Sequence, residues 1–251
     1  MRKITRVLAL GLALGLAGAA LAKAPSAAIG KAVADSRRPA ADTARDAARH
    51  PAELIAFAGL KPGDKVADLM PGGGYFTRIF SPAVGAKGHV YAVFPEFMAG
   101  FEKDEVAAIK AMAADPGYAN VSFVTNPNAA FSTPERLDLV WTAQNYHDLQ
   151  FGLTHDQIIA YDKSIFAALK PGGVFLVIDH VAAPGSGWSA AHTLHRIDPE
   201  AIKADLAQAG FVLDGENTLL RNPADPHTLV VFDPSIRGHT DQVALRFRRP
   251  K

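Results

Sequence analysis

From Lys65 to Arg248 the chain alternates short apolar runs with segments of helical period, and that alternation admits few architectures. The strand candidates are residues 65–69, 89–94, 121–124, 137–142, 174–178, 211–220 and 242–248, with 228–232 as a competing assignment. Helix patterns begin at Tyr75 and at Pro51, cover 97–112 and 154–169, and run from Asp198 to Gly210. The run Val174-Phe175-Leu176-Val177-Ile178 is continuously apolar, as a strand buried on both faces must be. Two late strands follow one another with no helix pattern between them, which points to an antiparallel end. The expectation is an α/β fold, a mostly parallel sheet with helices on both faces and ligands at the carboxyl ends of its strands.

The turn after the first strand is the most informative stretch. Val66-Ala67-Asp68-Leu69 ends an apolar run on an acid and a leucine, and Met70-Pro71-Gly72-Gly73-Gly74 then opens a helix. Glycine allows a tight backbone and close ligand approach, and a helix N-terminus offers unpaired N–H groups. The dinucleotide pattern G-x-G-x-x-G is not completed, because Thr77 stands at its last position. By itself the turn is either a ligand cradle or a tight strand–helix connection.

Three motifs in order give it a context. Asp68, Gly72 and Gly74 resemble the D-x-G-x-G-x-G turn of the class I S-adenosylmethionine-dependent methyltransferases, with Met70 where the first glycine belongs. Leu137-Asp138-Leu139-Val140-Trp141 resembles that family's fourth strand, and Leu169-Lys170-Pro171-Gly172-Gly173 its turn into the fifth. The resemblance implies a Rossmann-like doubly wound sheet of about seven strands, the last one antiparallel and inserted beside the fifth. It implies S-adenosyl-L-methionine as cofactor, with Gly72, Gly73 and Gly74 beneath its methionine part and Asp68 holding its amino group. Glu96, just beyond the second strand, would take the ribose hydroxyls, and Asn145 would line the cofactor site.

Chemistry-bearing residues cluster after strands four and five. Asn145-Tyr146-His147-Asp148 would stand at the mouth of the pocket. Methyl transfer needs a deprotonated nucleophile aligned with the donor, so His147 is the candidate general base, Asp148 its orienting partner or a base alone, and Tyr146 a pocket wall. After strand five, the loop 183–188 has the composition of a lid carrying Trp188. A rival reading takes Asp179, His180, His192 and His195 as ligands of a divalent metal, His192 and His195 sharing a helix face at i, i+3. A third reading, favoured by Met70 and the displaced Glu96, is a non-catalytic binding module on the same fold.

The N-terminus carries Arg2, Lys3 and Arg6, then an uncharged apolar run ending in Ala19-Ala20-Leu21-Ala22. This is the pattern of a secretory signal peptide over 1–22, shorter than a membrane span, so the expectation is export, to the periplasm, with no stable anchor after cleavage. Residues 23–50, rich in Ala, Arg and Asp, read as a solvated arm, and 51–251 as the folded domain. The chain has no cysteine, which removes disulfides and thiolate chemistry. Its 26 Lys and Arg balance 25 Asp and Glu, so a nucleic-acid partner is not expected and a small-molecule substrate is.

Overall fold

Seven strands form one sheet in the order β3-β2-β1-β4-β5-β7-β6. They are β1 (Lys65–Leu69), β2 (His89–Pro95), β3 (Val121–Asn126), β4 (Leu137–Ala143), β5 (Leu169–His180), β6 (Val212–Asn217) and β7 (Gln242–Arg248). The structure, a computed structural model, describes residues 24–251, so the expected leader over 1–22 lies outside the described residues. The first five strands are mutually parallel, and β7 pairs antiparallel with both β5 and β6. The expected sheet is therefore present, with β7 seated beside β5. The strand order reverses at β1 and β4, which opens a crevice beyond their carboxyl ends.

Ten helices are described: α1 (Ala27–Val33), α2 (Ala40–Thr43), α3 (Asp46–Arg49), α4 (Pro51–Ala58), α5 (Thr77–Val84), α6 (Glu96–Phe101), α7 (Lys103–Ala114), α8 (His155–Ala168), α9 (Ala191–Leu194) and α10 (Pro199–Gln208). Their ends follow local chemistry. Pro51 opens α4, and Gly59 closes it at φ 82°, its N–H returning to Ile55 and Ala56. Thr154 and Gln157 cap α8 reciprocally, and Asp198 caps α10 ahead of Pro199. The central strands are buried on both faces, Val66, Ala67 and Leu69 in β1 and Phe175 to Val177 in β5 being inaccessible.

Several expectations need correction. The helix expected over 97–112 is two, broken at Glu102, where the last turn of α6 already carries Gly100. Residues 228–232 form no strand, and the strand expected over 211–220 covers only β6. Residues 24–50 are not a solvated arm. Ile29 and Ala32 of α1 are buried in the core, and α1 packs on α4 and α5. The charges that looked like a solvated face are paired internally. Arg38, its side chain inaccessible, grips both oxygens of Asp46 at 2.6 and 2.7 Å, and Asp46 accepts from the Tyr75 hydroxyl at 2.5 Å. Asp42 accepts from Arg78, which also donates to the Gly73 carbonyl at 2.7 Å. The N-terminal segment is thus tied directly to the glycine-rich turn.

Candidate functional site

Asp68 ends β1 almost fully buried, and its Oδ2 is 2.6 Å from the Thr77 hydroxyl, which donates to it. Burial pushes its carboxyl up to about 7, against the pull of Thr77 and of the Arg49 guanidinium. Met70 sits at φ 52°, in the left-handed region that glycine tolerates best. Gly72 (φ 52°) and Gly74 (φ 89°) share that region for good reason. A Cβ on Gly74 would lie 2.6 Å from Met112 Cε and 2.9 Å from Ile109 Cδ1, whereas Gly72 and Gly73 have nothing within 4 Å of that point. The turn is closed below by α7 and open at Gly72 and Gly73. Gly74→Ala should therefore lower stability by about 2 kcal/mol, while Gly73→Ala changes it by less than about 0.5 kcal/mol. Urea denaturation of both variants distinguishes them, and equal losses would refute this account of the turn.

Glu96, expected at the ribose, is the exposed first residue of α6, directly after the end of β2. Its carboxylate has no hydrogen-bond partner among the described residues, so it is available to a ligand at this edge of the crevice. Asn145 is not. Its Oδ1 accepts from the Thr142 hydroxyl at 2.5 Å and its Nδ2 donates to the Met70 carbonyl. The expected cofactor contact is a clamp between the β4 end and the glycine-rich turn.

Tyr146 is a second correction. Its side chain is inaccessible, and its hydroxyl donates to Asp162 of α8 at 2.7 Å. Burial drives Asp162 well above the usual carboxylate range, and with both side chains inaccessible neither lines a pocket. Trp188 is no lid. Its indole N–H donates to Asp205 in α10 at 2.8 Å, and its ring lies 5.5 Å from Tyr146.

His147 and Asp148 open the 3-10 turn of residues 146–151 that follows β4. Asp179, inaccessible at the end of β5, accepts the His147 backbone N–H at 2.8 Å and faces its Nδ1 at 2.7 Å. On the other side His147 Nε2 lies 3.0 Å from Asp148 Oδ1 and 3.3 Å from His195 Nδ1. Burial lowers the basicity of this ring, but Asp179 and Asp148 outweigh it and hold its pKa up to about 10. Both ring nitrogens are thus engaged, whereas the expected general base needs one free. Asp179 stays below the usual range despite its burial, because it is paired with His147.

The expected metal set divides. His180 Nδ1 is 2.7 Å from the Thr240 hydroxyl, and burial depresses its ring to about 3, so it is neutral. His192 is exposed and packs against Phe151. Only His195 joins His147 and Asp148, and Asp179 backs His147 from behind. His195 lies just beyond the end of α9 at Leu194, in the left-handed conformation at φ 52°, and its ring packs on Phe151 as that of His192 does.

Arg49, at the end of α3, had no sequence signal. Its guanidinium stacks over the rings of Tyr75 (4.4 Å) and Phe76 (5.0 Å) and donates to Gln144 Oε1 at 3.0 Å. Burial lowers it to about 10, which leaves it cationic at neutral pH. Beside it lies a cavity of ≈ 440 Å³, lined by Arg45, Arg49, Arg237, Gln144, His180 and Thr240. It opens at the carboxyl ends of β4 and β5, where Gln144 and His180 stand.

No protein-family model matches this sequence, and no curated protein matches it. Solved structures do match in shape. A SAM dependent methyltransferase from Aquifex aeolicus superposes with a TM-score of 0.55 at 17% identity, over 78% of this chain and 87% of that one. The [4+2]-cyclase SpnF gives 0.58 at 17% identity, over 86% and 84%. The glycopeptide N-methyltransferase MtfA, complexed with S-adenosyl-L-methionine, gives 0.51 at 16% identity, over 82% and 87%. At these identities the likeness establishes the fold.

Proposed function

We propose that this chain, which has the fold of the class I S-adenosylmethionine-dependent methyltransferases, binds S-adenosyl-L-methionine and methylates a small anionic acceptor. The observation that carries the reading is the glycine-rich turn at the end of β1, open at Gly72 and Gly73 and flanked by Asp68 and the unpartnered Glu96. Those residues suit the cofactor. Two open glycines admit its methionine part, a buried carboxyl suits its ammonium, and an exposed carboxylate accepts two ribose hydroxyls. When bound, the cofactor supplies an electrophilic methyl group.

The chain's own residues supply the rest. Asn145 and Arg78 hold the turn in place from either side, through the Met70 and Gly73 carbonyls. The three arginines of the adjoining cavity favour an acceptor with a carboxylate or phosphate, since a guanidinium fork matches either. Asp148, partly exposed after β4, would accept the acceptor's proton in this reading. The test is titration of S-adenosylmethionine and S-adenosylhomocysteine, followed by a screen of small carboxylates and phosphates for S-adenosylhomocysteine release. Micromolar binding with release on an anionic acceptor supports the reading, and no binding up to millimolar cofactor overturns it.

One observation favours a reused scaffold instead. Arg49 sets a cation within electrostatic reach of Asp68, and that charge opposes the ammonium the cofactor would bring to the same carboxyl; SpnF, on the same fold, is a cyclase. Cofactor binding without turnover on any acceptor would support that second reading.

We also propose export, on the basic, apolar and small-residue succession of residues 2–22. Fractionation of the producing cell with N-terminal sequencing should return a periplasmic protein that starts at Lys23. An uncleaved cytosolic protein would refute it.

A further inference from the structure

We propose that His147, Asp148 and His195 form a binding site for one divalent transition-metal ion, with Asp179 as the positioning residue behind His147. The three candidate ligand atoms are His147 Nε2, His195 Nδ1 and Asp148 Oδ1. Their separations are 3.0, 3.3 and 3.4 Å. A metal about 2.0–2.2 Å from each ligand places neighbouring ligands roughly 3.0 Å apart in an octahedron and roughly 3.4 Å apart in a tetrahedron. The three separations are the edges of one coordination face.

The orientation of His147 fits the same role. Asp179 Oδ1 also accepts the His180 backbone N–H and stands 2.7 Å from His147 Nδ1, so that nitrogen is already engaged. That leaves Nε2, whose proton a bound ion would displace, as the ring's ligating atom, facing Asp148 and His195. A carboxylate behind a ligating imidazole is the usual support of a histidine–metal bond. The backbone N–H of His147 donates to the other oxygen of Asp179, so the carboxylate fixes ring and main chain together. His195 itself adopts the left-handed conformation, and its ring is walled by Phe151 at 5.3 Å and Phe232 at 4.8 Å.

The ligand set decides the class of ion. Two imidazoles and one carboxylate suit zinc, iron(II), cobalt(II) or manganese(II), and not calcium or magnesium, which take oxygen ligands. Three protein ligands leave at least one position open, the arrangement of catalytic rather than structural sites. An ion here would bind an oxygen of the acceptor or a water, and would take over from Asp148 the task of favouring its deprotonated form.

The test uses the full chain stripped with a chelator and titrated with cobalt(II) in the absence of cofactor, by calorimetry and visible absorption. One ion per chain with ligand-field bands is expected. His195→Ala and Asp148→Asn should each weaken binding about 100-fold, and Asp179→Asn about 10- to 100-fold. His192→Ala, on an exposed ring, should leave it unchanged. Circular dichroism checks that the variants fold. No saturable site, unchanged affinity in His195→Ala, or an equal loss in His192→Ala would overturn the proposal. Because no cofactor is present, its failure is distinct from failure of the methyl-transfer reading.

Discussion

Asp68→Asn is expected to weaken S-adenosylmethionine binding about 100-fold, a loss of about 3 kcal/mol from removing one partner of a buried charge pair. The substitution is nearly isosteric, and an asparagine oxygen still accepts from the Thr77 hydroxyl 2.6 Å away, so the fold has no reason to suffer. The pH dependence makes the expectation sharper. Burial holds the Asp68 carboxyl protonated up to about pH 7. A bound ammonium requires it ionised, so wild-type affinity should fall about tenfold per pH unit below 7 and level off above it. The variant should show no such slope.

Stability should move the other way. The folded state keeps a proton that the unfolded chain releases near pH 4, so Asp68 lowers stability progressively as pH rises from about 4 to about 7, and no further above that. Asp68→Asn lacks this loss and should be more stable than wild type at pH 8 but not at pH 4. Calorimetric titration and thermal melts across pH 4–8 read both effects. Unchanged affinity in the variant would remove Asp68 from the site, and a pH-independent wild type would show that its carboxyl is ionised throughout.

The sheet was legible because its central strands must be apolar on both faces. Val90 to Phe94 and Val174 to Ile178 are buried throughout and are runs of such residues in sequence. The position of β7 between β5 and β6 was not written in periodicity; it came through the resemblance of three motifs, and the strand pairing bears it out. Segment 24–50 misled because a charge reads as solvated until its partner is known. Arg38 finds Asp46 eight residues on, and Asp46 finds Tyr75 twenty-nine residues on. Tyr146 misled for the same reason, its partner Asp162 being supplied by α8.

The histidine cluster shows the limit most clearly. Spacing grouped His192 with His195, and both rings do pack on Phe151, but it is His195 whose Nδ1 comes within 3.3 Å of His147 Nε2. His147 and Asp148, read as a base and its partner, are adjacent in sequence and do meet. The carboxylate that orients His147 is instead Asp179, brought alongside by the parallel pairing of β4 and β5. Pairing of strands, rather than local pattern, assembled the site.

Arg196→Ala should produce the largest loss of stability, about 4 kcal/mol, or roughly 10 °C in Tm for a domain of this size. Arg196 and Asp225 are both inaccessible side chains joined through two nitrogens, at 2.8 and 3.1 Å. The guanidinium also donates to the carbonyls of Val181 and Leu229 at 2.9 Å each. Removing it strands a carboxylate in the interior and two carbonyls with it. The pair fastens residues 222–241 against the end of β5, and that segment carries Arg237 and Thr240 into the arginine-lined cavity. Limited proteolysis within 222–241 should therefore accelerate in the variant. Asp225 is stabilised as the anion by its backbone donors and Arg196, which outweigh its burial, so its contribution is lost as pH falls through the carboxylate range. The gap between wild type and Arg196→Ala should then narrow at low pH. Arg196→Lys keeps the charge but not the fork, and should fall between them. A Tm within about 2 °C of wild type, less than about 1 kcal/mol for a domain of this size, would mean that the segment is held by its backbone hydrogen bonds and not by this pair.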